Sequence, residues 1–232
     1  MWEGQSMKIA VLGTGSVGRT LASAFARLGH ETVVGTRDVA ATVARTEPDG
    51  MGNAPYRTWA QANPAVGLAG FAEAAAGAEL VVNATSGEAS LPALRAAGAG
   101  NLAGKVVLDV ANPLDFAQGF PPTLSVQNTD SLAEQLQRAF PQARVVKALN
   151  TMTASVMADP RALADGEHTV FVSGDDDAAK KLVTGLLEQL GHRDVIDLGG
   201  LATARGAEML LPLWLRLYGA LGTADFNIKV VR

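Results

Sequence analysis

One glycine-rich turn near the start of the chain constrains the fold more than any other feature. Gly13, Gly15 and Gly18 complete the spacing G-x-G-x-x-G directly after an aliphatic run at residues 8–12 and before helical spacing at residues 16–28. Three glycines in one turn carry an entropic cost that a plain strand-to-helix connection does not require. The context therefore predicts a strand, a phosphate-binding turn and a helix. Gly13 permits the tight turn, Gly15 admits a pyrophosphate, and Gly18 lets the helix pack on the strand.

Beyond this turn, short aliphatic runs alternate with segments of helical spacing. The runs predict strands at residues 32–35, 80–84, 106–110, 144–149, 169–173 and 194–198. Helices are predicted at residues 38–46, 71–76, 91–98, 131–140, 154–157, 177–190 and 202–221, and loops at residues 47–64 and 111–128. This alternation predicts an α/β fold with a Rossmann-type doubly wound parallel sheet. The pattern of predicted strands and helices changes after residue 150, so we expect a nucleotide-binding domain at residues 7–150. A small C-terminal α/β domain at residues 151–232 would pack against it.

Composition excludes several classes of function. The 232 residues include no cysteine, which excludes disulfides, thiolate metal sites and a cysteine nucleophile. A net charge of −4 without a basic block argues against a nucleic-acid partner, and no apolar run approaches the ~20 residues that span a bilayer. Asp175, Asp176 and Asp177 are expected to open a helix rather than to bind a metal, and no metal site is predicted. We expect a cytoplasmic protein that binds small molecules.

The end of the second predicted strand indicates which dinucleotide binds. NAD-binding domains usually carry an acidic residue there, which accepts from the ribose 2′-hydroxyl. Here Gly35 and Thr36 occupy that place and Arg37 follows. A hydroxyl and a guanidinium suit a 2′-phosphate, whereas a carboxylate would repel it. The sequence therefore favours NADP over NAD and makes residues 7–150 an NADP-binding domain.

Small, uncharged polar residues follow three predicted strands. Because ligands of open α/β sheets lie beyond the carboxyl ends of the strands, these segments are expected to form a neutral floor for a nicotinamide and a second flat ring. Ordinary turn chemistry of Asn and Thr is the other reading. The segments contain Asn83, Ala84, Thr85, Asn112, Asn150 and Thr151.

Few side chains suited to acid–base chemistry are present. His30 and His192 each follow a glycine at a predicted helix end, which favours a capping role, and His168 is expected at the surface. Lys147, in a predicted buried strand, is expected to be a paired lysine or to reach the crevice rim. It is also the one proton donor that we name for carbonyl reduction.

Several segments together resemble the NADPH-dependent coenzyme F420 reductase family, also called F420-dependent NADP oxidoreductases. The resemblance covers nearly the whole chain from Met7. It is carried by MKIAVLGTG at residues 7–15, VGTR at 34–37, VVKALNT at 145–151, VSGDDD at 172–177 and the run at 208–229.

The resemblance implies that the Rossmann domain binds NADP(H) and that the C-terminal domain closes a cleft over the deazaflavin of F420, the co-substrate. Hydride would pass directly between nicotinamide C4 and deazaflavin C5 without a metal or a covalent intermediate, and members are commonly dimers. Carried over by position, Thr36 and Arg37 hold the 2′-phosphate, and Asn150 and Thr151 position the reacting rings. The remaining residues carried over are Thr14, Ser16 and Val17 at the pyrophosphate, and Asn83, Ala84, Thr85, Ala148 and Leu149 by the rings.

The chain departs from the archaeal pattern at three places. Ala41 stands where those members have a second basic residue, Asn150 where they have His, and Ala84-Thr85 where they have Ile-Pro. Two other functions stay open: NADPH-dependent reduction of a flavin or of a small carbonyl or imine, and non-catalytic NADP(H) sensing. The apolar last helix is expected to be core, with a seam of a homodimer as the alternative.

Overall fold

The computed structural model describes residues 6–49 and 52–232, and the elements below are those of this part of the chain. The strands are β1 (Lys8–Leu12), β2 (Glu31–Thr36), β3 (Val66–Gly70), β4 (Leu80–Asn83), β5 (Val106–Asp109), β6 (Leu114–Asp115), β7 (Thr123–Leu124), β8 (Arg144–Ala148), β9 (Thr169–Gly174) and β10 (Asp194–Asp197). The helices are α1 (Ser16–Arg27), α2 (Val39–Ala44), α3 (Tyr56–Ala62), α4 (Phe71–Gly77), α5 (Gly87–Ala97), α6 (Ala99–Leu102), α7 (Leu132–Ala139), α8 (Ala154–Ala158), α9 (Asp177–Leu190), α10 (Ala204–Met209) and α11 (Leu211–Leu221). Short 3-10 turns lie at Pro160–Ala162, Ala164–Gly166 and Leu201–Thr203.

The main sheet confirms the predicted α/β fold. In the described residues its eight strands follow the order β10-β9-β8-β5-β4-β1-β2-β3. Six neighbouring strands of this sheet are parallel, in the spatial order β8-β5-β4-β1-β2-β3. This is the strand order of a doubly wound dinucleotide-binding sheet. The chain leaves β1 towards β2 on one side, and β4 then adds on the other side. The point where the order reverses lies between β1 and β4.

Two apolar layers cover the sheet, because the strands are apolar on both faces. Ile9 and Val11 of β1 face a layer built with α1, α8 and α9, and Ala10 and Leu12 face a layer built with α4, α5 and α7. All four side chains are at most 1% exposed. This double burial is typical of parallel strands and explains their continuous apolar runs.

The predicted loop at residues 47–64 was wrong in part. It contains α3, and the edge strand β3 follows, which the sequence analysis did not predict. β3 reads VGLAG and lies at the end of the sheet against β2, so its pairing and not its composition makes it a strand. A small antiparallel ladder of β6 and β7 likewise lies inside the predicted loop at residues 111–128.

The C-terminal part extends the same sheet. β9 pairs antiparallel with β8, and β10 pairs parallel with β9, so the expectation of a wholly parallel sheet needs one correction at this step. The division into domains at residues 7–150 and 151–232 stays a prediction. The expectation that the last helix is core holds on one side only. Leu211 and Leu215 are buried, whereas Leu213 and Leu221 are 53% and 56% exposed.

The histidines lie inside the fold. His168, expected at the surface, is buried at 3% exposure, where its ring contacts the Pro160 carbonyl and the Asn227 amide. His192 is buried beside it, with ring centroids 6.1 Å apart. Burial lowers the pKa of His192 to about 4. No helix among the described residues is both long enough and apolar enough to cross a bilayer.

Candidate functional site

A cleft opens where the strand order reverses, at the carboxyl ends of β1, β2 and β4. Its cavity volume is about 670 Å³. Ligands of doubly wound sheets bind at this point, because the loops after the two central strands diverge there. The loops after β1 and β4 and the starts of α2, α4 and α5 form the walls. The lining residues include Gly13, Thr14, Gly15, Thr36, Arg37, Ala41, Arg45, Phe71, Ala84, Thr85, Ser86 and Glu88.

Two of the three motif glycines are required by the chain itself. Gly13 has φ +126°, and a Cβ there would lie 2.5 Å from the carbonyl oxygen of Ala84. A Cβ on Gly18 would lie 2.1 Å from the carbonyl oxygen of Gly13. These contacts explain the tight turn and the close packing of α1 on β1 that the sequence predicts.

Gly15 is different, because nothing in the fold demands a glycine there. Its φ of −76° and ψ of −174° suit any residue, and a Cβ would meet no atom within 4 Å. The space in front of Gly15 is therefore open to a group that approaches the backbone from outside. A pyrophosphate fits this space and the donors that surround it.

The N-terminus of α1 supplies those donors. The N-cap side chain makes no capping bond and the first turn holds no acidic residue, so the first N–H groups of this helix, directly after the cleft-lining Gly15, have no intrahelical acceptor. Arg19 fixes the turn from behind: its Nε donates to the Thr14 carbonyl at 2.6 Å, and another guanidinium N–H donates to the Ala54 carbonyl. The guanidinium also lies 5.5 Å from the ring centroid of Tyr56.

The wall after β2 carries positive charge. Arg37 and Arg45 both line the cleft and are exposed, and neither forms an ion pair with another residue in the described ranges. Thr36 is buried, and its Oγ1 lies 2.8 Å from the Oγ1 of Thr42, whose own hydrogen goes to the Asp38 carbonyl at 2.7 Å. The hydroxyl hydrogen of Thr36 is therefore already donated to Thr42. The side-chain donors that remain free on this wall are the guanidinium groups of Arg37 and Arg45, whereas the Thr36 hydroxyl, predicted to hold the 2′-phosphate, has no hydrogen left to donate.

The remaining predicted residues divide into those at the cleft and those below it. Gly13, Thr14, Gly15, Thr36, Arg37, Ala84 and Thr85 line the cleft. Asn83, Ala148, Leu149, Asn150 and Thr151 are at most 2% exposed and lie beneath the surface. Ser16, Val17, Gly18 and Asn112 are not among the residues lining this cleft. The assignment of all these residues to cofactor binding or to positioning the rings stays a prediction.

Asn150 holds the turn after β8 in place. Its Nδ2 donates to Asn112 Oδ1 at 2.9 Å and to the Ala207 carbonyl at 3.0 Å. The Asn112 amide donates back to the Asn150 carbonyl at 2.8 Å. Leu149 before it has φ +64°, a left-handed conformation that is unusual for leucine. Both amide hydrogens of Asn150 are thus used inside the chain, which agrees with a positioning role and not with donation to a ligand.

Lys147 is a paired lysine, which is one of the two placements expected from the sequence, and it does not reach the rim of the cleft. Its Nζ donates to Asp109 Oδ2 and to Glu208 Oε1, both at 2.8 Å, and to the carbonyl of Ala111. Burial alone would lower the pKa of Lys147, but the two carboxylates outweigh it and raise the pKa above its usual value. All three ammonium hydrogens are occupied and the side chain is 0% exposed, so Lys147 does not donate a proton to a ligand in the cleft.

Part of the cleft wall was not predicted from the sequence. Phe71 and Glu88 line the cleft but were not among the predicted site residues, whereas Ser86 belongs to a segment that was expected to form its floor. The signal was present, because α2 and α5 begin within a few residues of the ends of β2 and β4. In a doubly wound sheet the first turns of such helices flank the ligand.

Known proteins are similar to this chain in sequence and in fold. A model of the family described as NADP oxidoreductase, coenzyme F420-dependent, matches residues 8–113. The F420-dependent NADP reductase of Methanothermobacter thermautotrophicus is 30% identical over 217 residues, which are 91% of this chain and 89% of that protein. A crystal structure of a candidate F420-dependent NADP-reductase from Arthrobacter sp. FB24 is 64% identical with a TM-score of 0.94. It covers 98% of this chain and 100% of that one.

A longer relative matches over one part of its length. Rat metalloreductase STEAP3 is 33% identical over 218 residues, which are 90% of this chain but 38% of that protein. The chain thus spans well under half of STEAP3, whereas it spans nearly all of the archaeal and Arthrobacter proteins. Together with the glycine turn, the strand order and the basic wall, these similarities establish that the chain belongs to the F420-dependent NADP oxidoreductase family and is an NADP-dependent oxidoreductase.

Proposed function

We propose that this chain transfers hydride between NADPH and the deazaflavin coenzyme F420 in the cleft described above. The observation that carries the nucleotide half is the open space at Gly15 beside the uncapped N-terminus of α1. The pyrophosphate of NADPH would occupy this space, and the 2′-phosphate on its adenosine ribose would reach the wall that holds Arg37 and Arg45. The similarity to F420-dependent NADP reductases supports the choice of acceptor.

The protein's own part in this reaction is orientation. NADPH supplies the hydride, and the chain binds and aligns the carriers, which is the contribution that cofactor enzymes of this type require. Thr14, Ala84 and Thr85 form the cleft wall between β1 and β4. Holding two reacting carbons about 3–3.5 Å apart supplies several kcal/mol through orientation alone. The neutral residues after β4 that line the cleft suit a flat ring. We propose that the C-terminal part closes the cleft over F420.

The buried state of Lys147 favours this proposal over carbonyl or imine reduction. Reduction of a carbonyl to an alcohol needs a proton donor beside the substrate. Lys147 is the donor that the sequence offers, and its three hydrogens are held by Asp109, Glu208 and Ala111. Hydride transfer from NADPH to F420 also consumes one proton, but the negative charge that arrives at deazaflavin C5 is delocalised over the ring, so the proton can come from solvent and not from a side chain.

Rapid mixing of the protein with NADPH and F420 tests the proposal. We expect F420 absorbance to fall while one NADPH is oxidised per F420 reduced, and we expect NADH to support a much lower rate at the same concentration. A flavin, a small ketone and a cyclic imine serve as matched acceptors. Oxidation of NADPH by one of these and not by F420 would refute the acceptor. Tight NADPH binding without turnover of any acceptor would indicate a sensor.

We also propose that the protein is a homodimer in the cytoplasm. The outer side of α11, with Leu213 and Leu221 more than half exposed, supports an interface, because exposed apolar surface of this kind marks protein contacts. Tyr218 and Phe120 extend this surface with an edge-to-face ring contact at 6.4 Å. Light scattering after size-exclusion chromatography should give twice the 23.9 kDa chain mass. Replacing Leu213 with a charged residue should shift the particle to the monomer.

A further inference from the structure

Two consecutive residues of α10 contact the layer beneath the cleft. The carbonyl of Ala207 accepts from the Asn150 side chain, and Glu208 Oε1 accepts from Lys147 at 2.8 Å. The carboxylate of Glu208 also accepts from the N–H groups of Leu132, at 2.8 Å, and Ala133, at 3.2 Å. Glu208 therefore caps α7 and binds the buried lysine at the same time, although it is only 1% exposed.

A continuous chain of hydrogen bonds leads from Glu208 to the cleft. Lys147 Nζ, which binds Glu208, also donates to Asp109 Oδ2 at 2.8 Å. Asp109 Oδ1 accepts from Asn83 Nδ2 at 2.8 Å, and Asn83 Oδ1 accepts from the Thr85 hydroxyl at 2.8 Å. Thr85 lines the cleft, so this series of hydrogen bonds begins on the C-terminal helix α10 and ends on the wall of the cleft.

Each link of this chain dictates the orientation of the next. The carboxylate of Asp109 accepts only, so the Asn83 amide has to turn its Nδ2 towards it, and the same Nδ2 also donates to Ser90 Oγ at 2.9 Å. The carbonyl oxygen of Asn83 then faces Thr85. If Asp109 lost its partner Lys147, Oδ1 would keep the Asn83 amide and the Ala111 N–H at 3.2 Å, but Oδ2 would lose its buried cation, and the carboxylate would hold the Asn83 amide less firmly.

A second contact reaches the same wall. The Ala207 carbonyl holds Asn150, and Asn150 holds Asn112 through the pair of amide hydrogen bonds. The carbonyl oxygen of Asn112 lies 2.3 Å from the position that a Cβ on Gly87 would take. Gly87 is the first residue of α5, which follows Thr85 and Ser86. Both routes from α10 therefore end at the segment between β4 and α5.

We propose that Glu208 is a positioning residue of the nucleotide cleft, which acts through Lys147, Asp109 and Asn83 on the Thr85 wall. The role rests on the proposed function, because it concerns how well the cleft holds NADPH. Glu208 touches no ligand itself. Glu208 is the second carboxylate beside Lys147, after Asp109. The positive N-terminus of α7 offsets the additional negative charge that Glu208 brings.

The variant Glu208→Gln removes the charge and keeps the shape. One end of the new amide is a donor, so the substituted side chain can accept from Lys147 and Ala133 at the Oε1 position or from Leu132 at the Oε2 position, but not at both positions. Glu134→Gln is the matched control. Glu134 also joins α7 to α10, through hydrogen bonds of 2.6 and 2.9 Å from Arg205, but in the described residues it has no bond to the Lys147 chain.

The first measurement is amide hydrogen exchange of the free protein over residues 85–90. We expect exchange there to rise about tenfold in Glu208→Gln, in proportion to the looser wall, and to stay within about twofold in Glu134→Gln. The second measurement is NADPH fluorescence titration. The dissociation constant should rise about tenfold in the first variant and less than twofold in the control, even where both lower the unfolding temperature equally.

Equal effects of the two glutamate variants on both measurements would overturn the positioning role, because a purely structural link between α7 and α10 predicts that result. If Glu208→Gln does not fold, Asn83→Ala interrupts the same series of hydrogen bonds without removing a charge. We expect this variant to show the same increase in hydrogen exchange and in the NADPH dissociation constant. The role is refuted if neither quantity changes. Neither measurement uses F420. Failure of F420 reduction with normal NADPH binding would therefore refute the acceptor and leave this inference standing. Because exchange is measured without any nucleotide, it decides the inference even if NADPH does not bind.

Discussion

Replacing Gly15 with alanine separates binding from folding. The backbone there has φ −76° and ψ −174°, and the added Cβ would meet no atom of the chain within 4 Å. A Gly→Ala change at such a position gains about 0.4–1 kcal/mol from the unfolded state. Alanine is a poorer N-cap than glycine by about 0.5–1 kcal/mol, so the two contributions nearly cancel. The free energy of unfolding should change by less than about 1 kcal/mol.

Binding should respond far more strongly, because the methyl group fills the space that the pyrophosphate occupies. Loss of one hydrogen bond between a backbone N–H and a phosphate oxygen costs about 1.5–3 kcal/mol, which corresponds to a dissociation constant raised about 10- to 100-fold. Isothermal calorimetry with NADPH measures the loss, and thermal unfolding without ligand measures the stability of Gly15→Ala.

Gly18→Ala is the matched control within the same motif. Its Cβ would lie 2.1 Å from the Gly13 carbonyl oxygen, so backbone has to move, at about 1–3 kcal/mol of stability. We expect this variant to lose stability and binding together. An unchanged NADPH affinity in Gly15→Ala, with the fold intact, would refute the placement of the pyrophosphate at the α1 N-terminus.

Three further outcomes follow from single contacts. Arg37→Ala should weaken NADPH binding by about 1.5–3 kcal/mol and leave NADH affinity within twofold, as measured by calorimetry with both nucleotides; equal losses would contradict a 2′-phosphate contact. Burial holds the pKa of His192 at about 4, below its unfolded value of 6.5, so the stability that the neutral ring contributes above pH 6.5 should decline as pH falls towards 4. His192→Gln, which can still donate to the Met157 carbonyl, should flatten this decline in urea titrations, and an unchanged slope would argue against it. The Thr169 hydroxyl, with Arg232 and Lys229, lowers the pKa of Asp194 to about 2, so its contribution is present above about pH 4 and is lost as pH falls to 2. Asp194→Asn should remove about 1–2 kcal/mol at pH 7 and nearly nothing at pH 2, and equal losses at both values would count against the ionised carboxylate.

The elements with strong local signals were predictable from the sequence. The run before Gly13 and the helical spacing after it are short-range patterns, and the structure confirms both β1 and α1. The cap of α9 was equally local, since Asp176 accepts from the Ala179 N–H at 2.7 Å. In contrast, β3 holds two glycines and one β-branched residue in five positions, and only its pairing with β2 makes it a strand.

The candidate site was predictable where it depends on backbone shape and was not where it depends on distant partners. The glycine turn can be recognised from six consecutive residues, 13–18. The burial of Asn150 depends on Ala207, 57 residues away, and the pairing of Lys147 depends on Asp109 and Glu208, 38 and 61 residues away. A short segment of sequence carries no sign of such contacts, so an asparagine that anchors a turn and one that binds a ligand look the same.

The distribution of charge around the cleft connects the two halves of the proposed reaction. Arg37 and Arg45 are exposed on the wall after β2, to which the proposed function assigns the 2′-phosphate. Lys147, Asp109 and Glu208 are sealed below the floor at 0–2% side-chain exposure, where they contact one another. Had these ionisable groups opened into the cleft, they would favour substrates that exchange protons with the protein. Sealed below it, they add no charge to the wall at Ala84 and Thr85, and in the proposed role they hold this wall in one position. A fixed wall without proton-exchanging groups suits two flat carriers that pass a hydride directly between them.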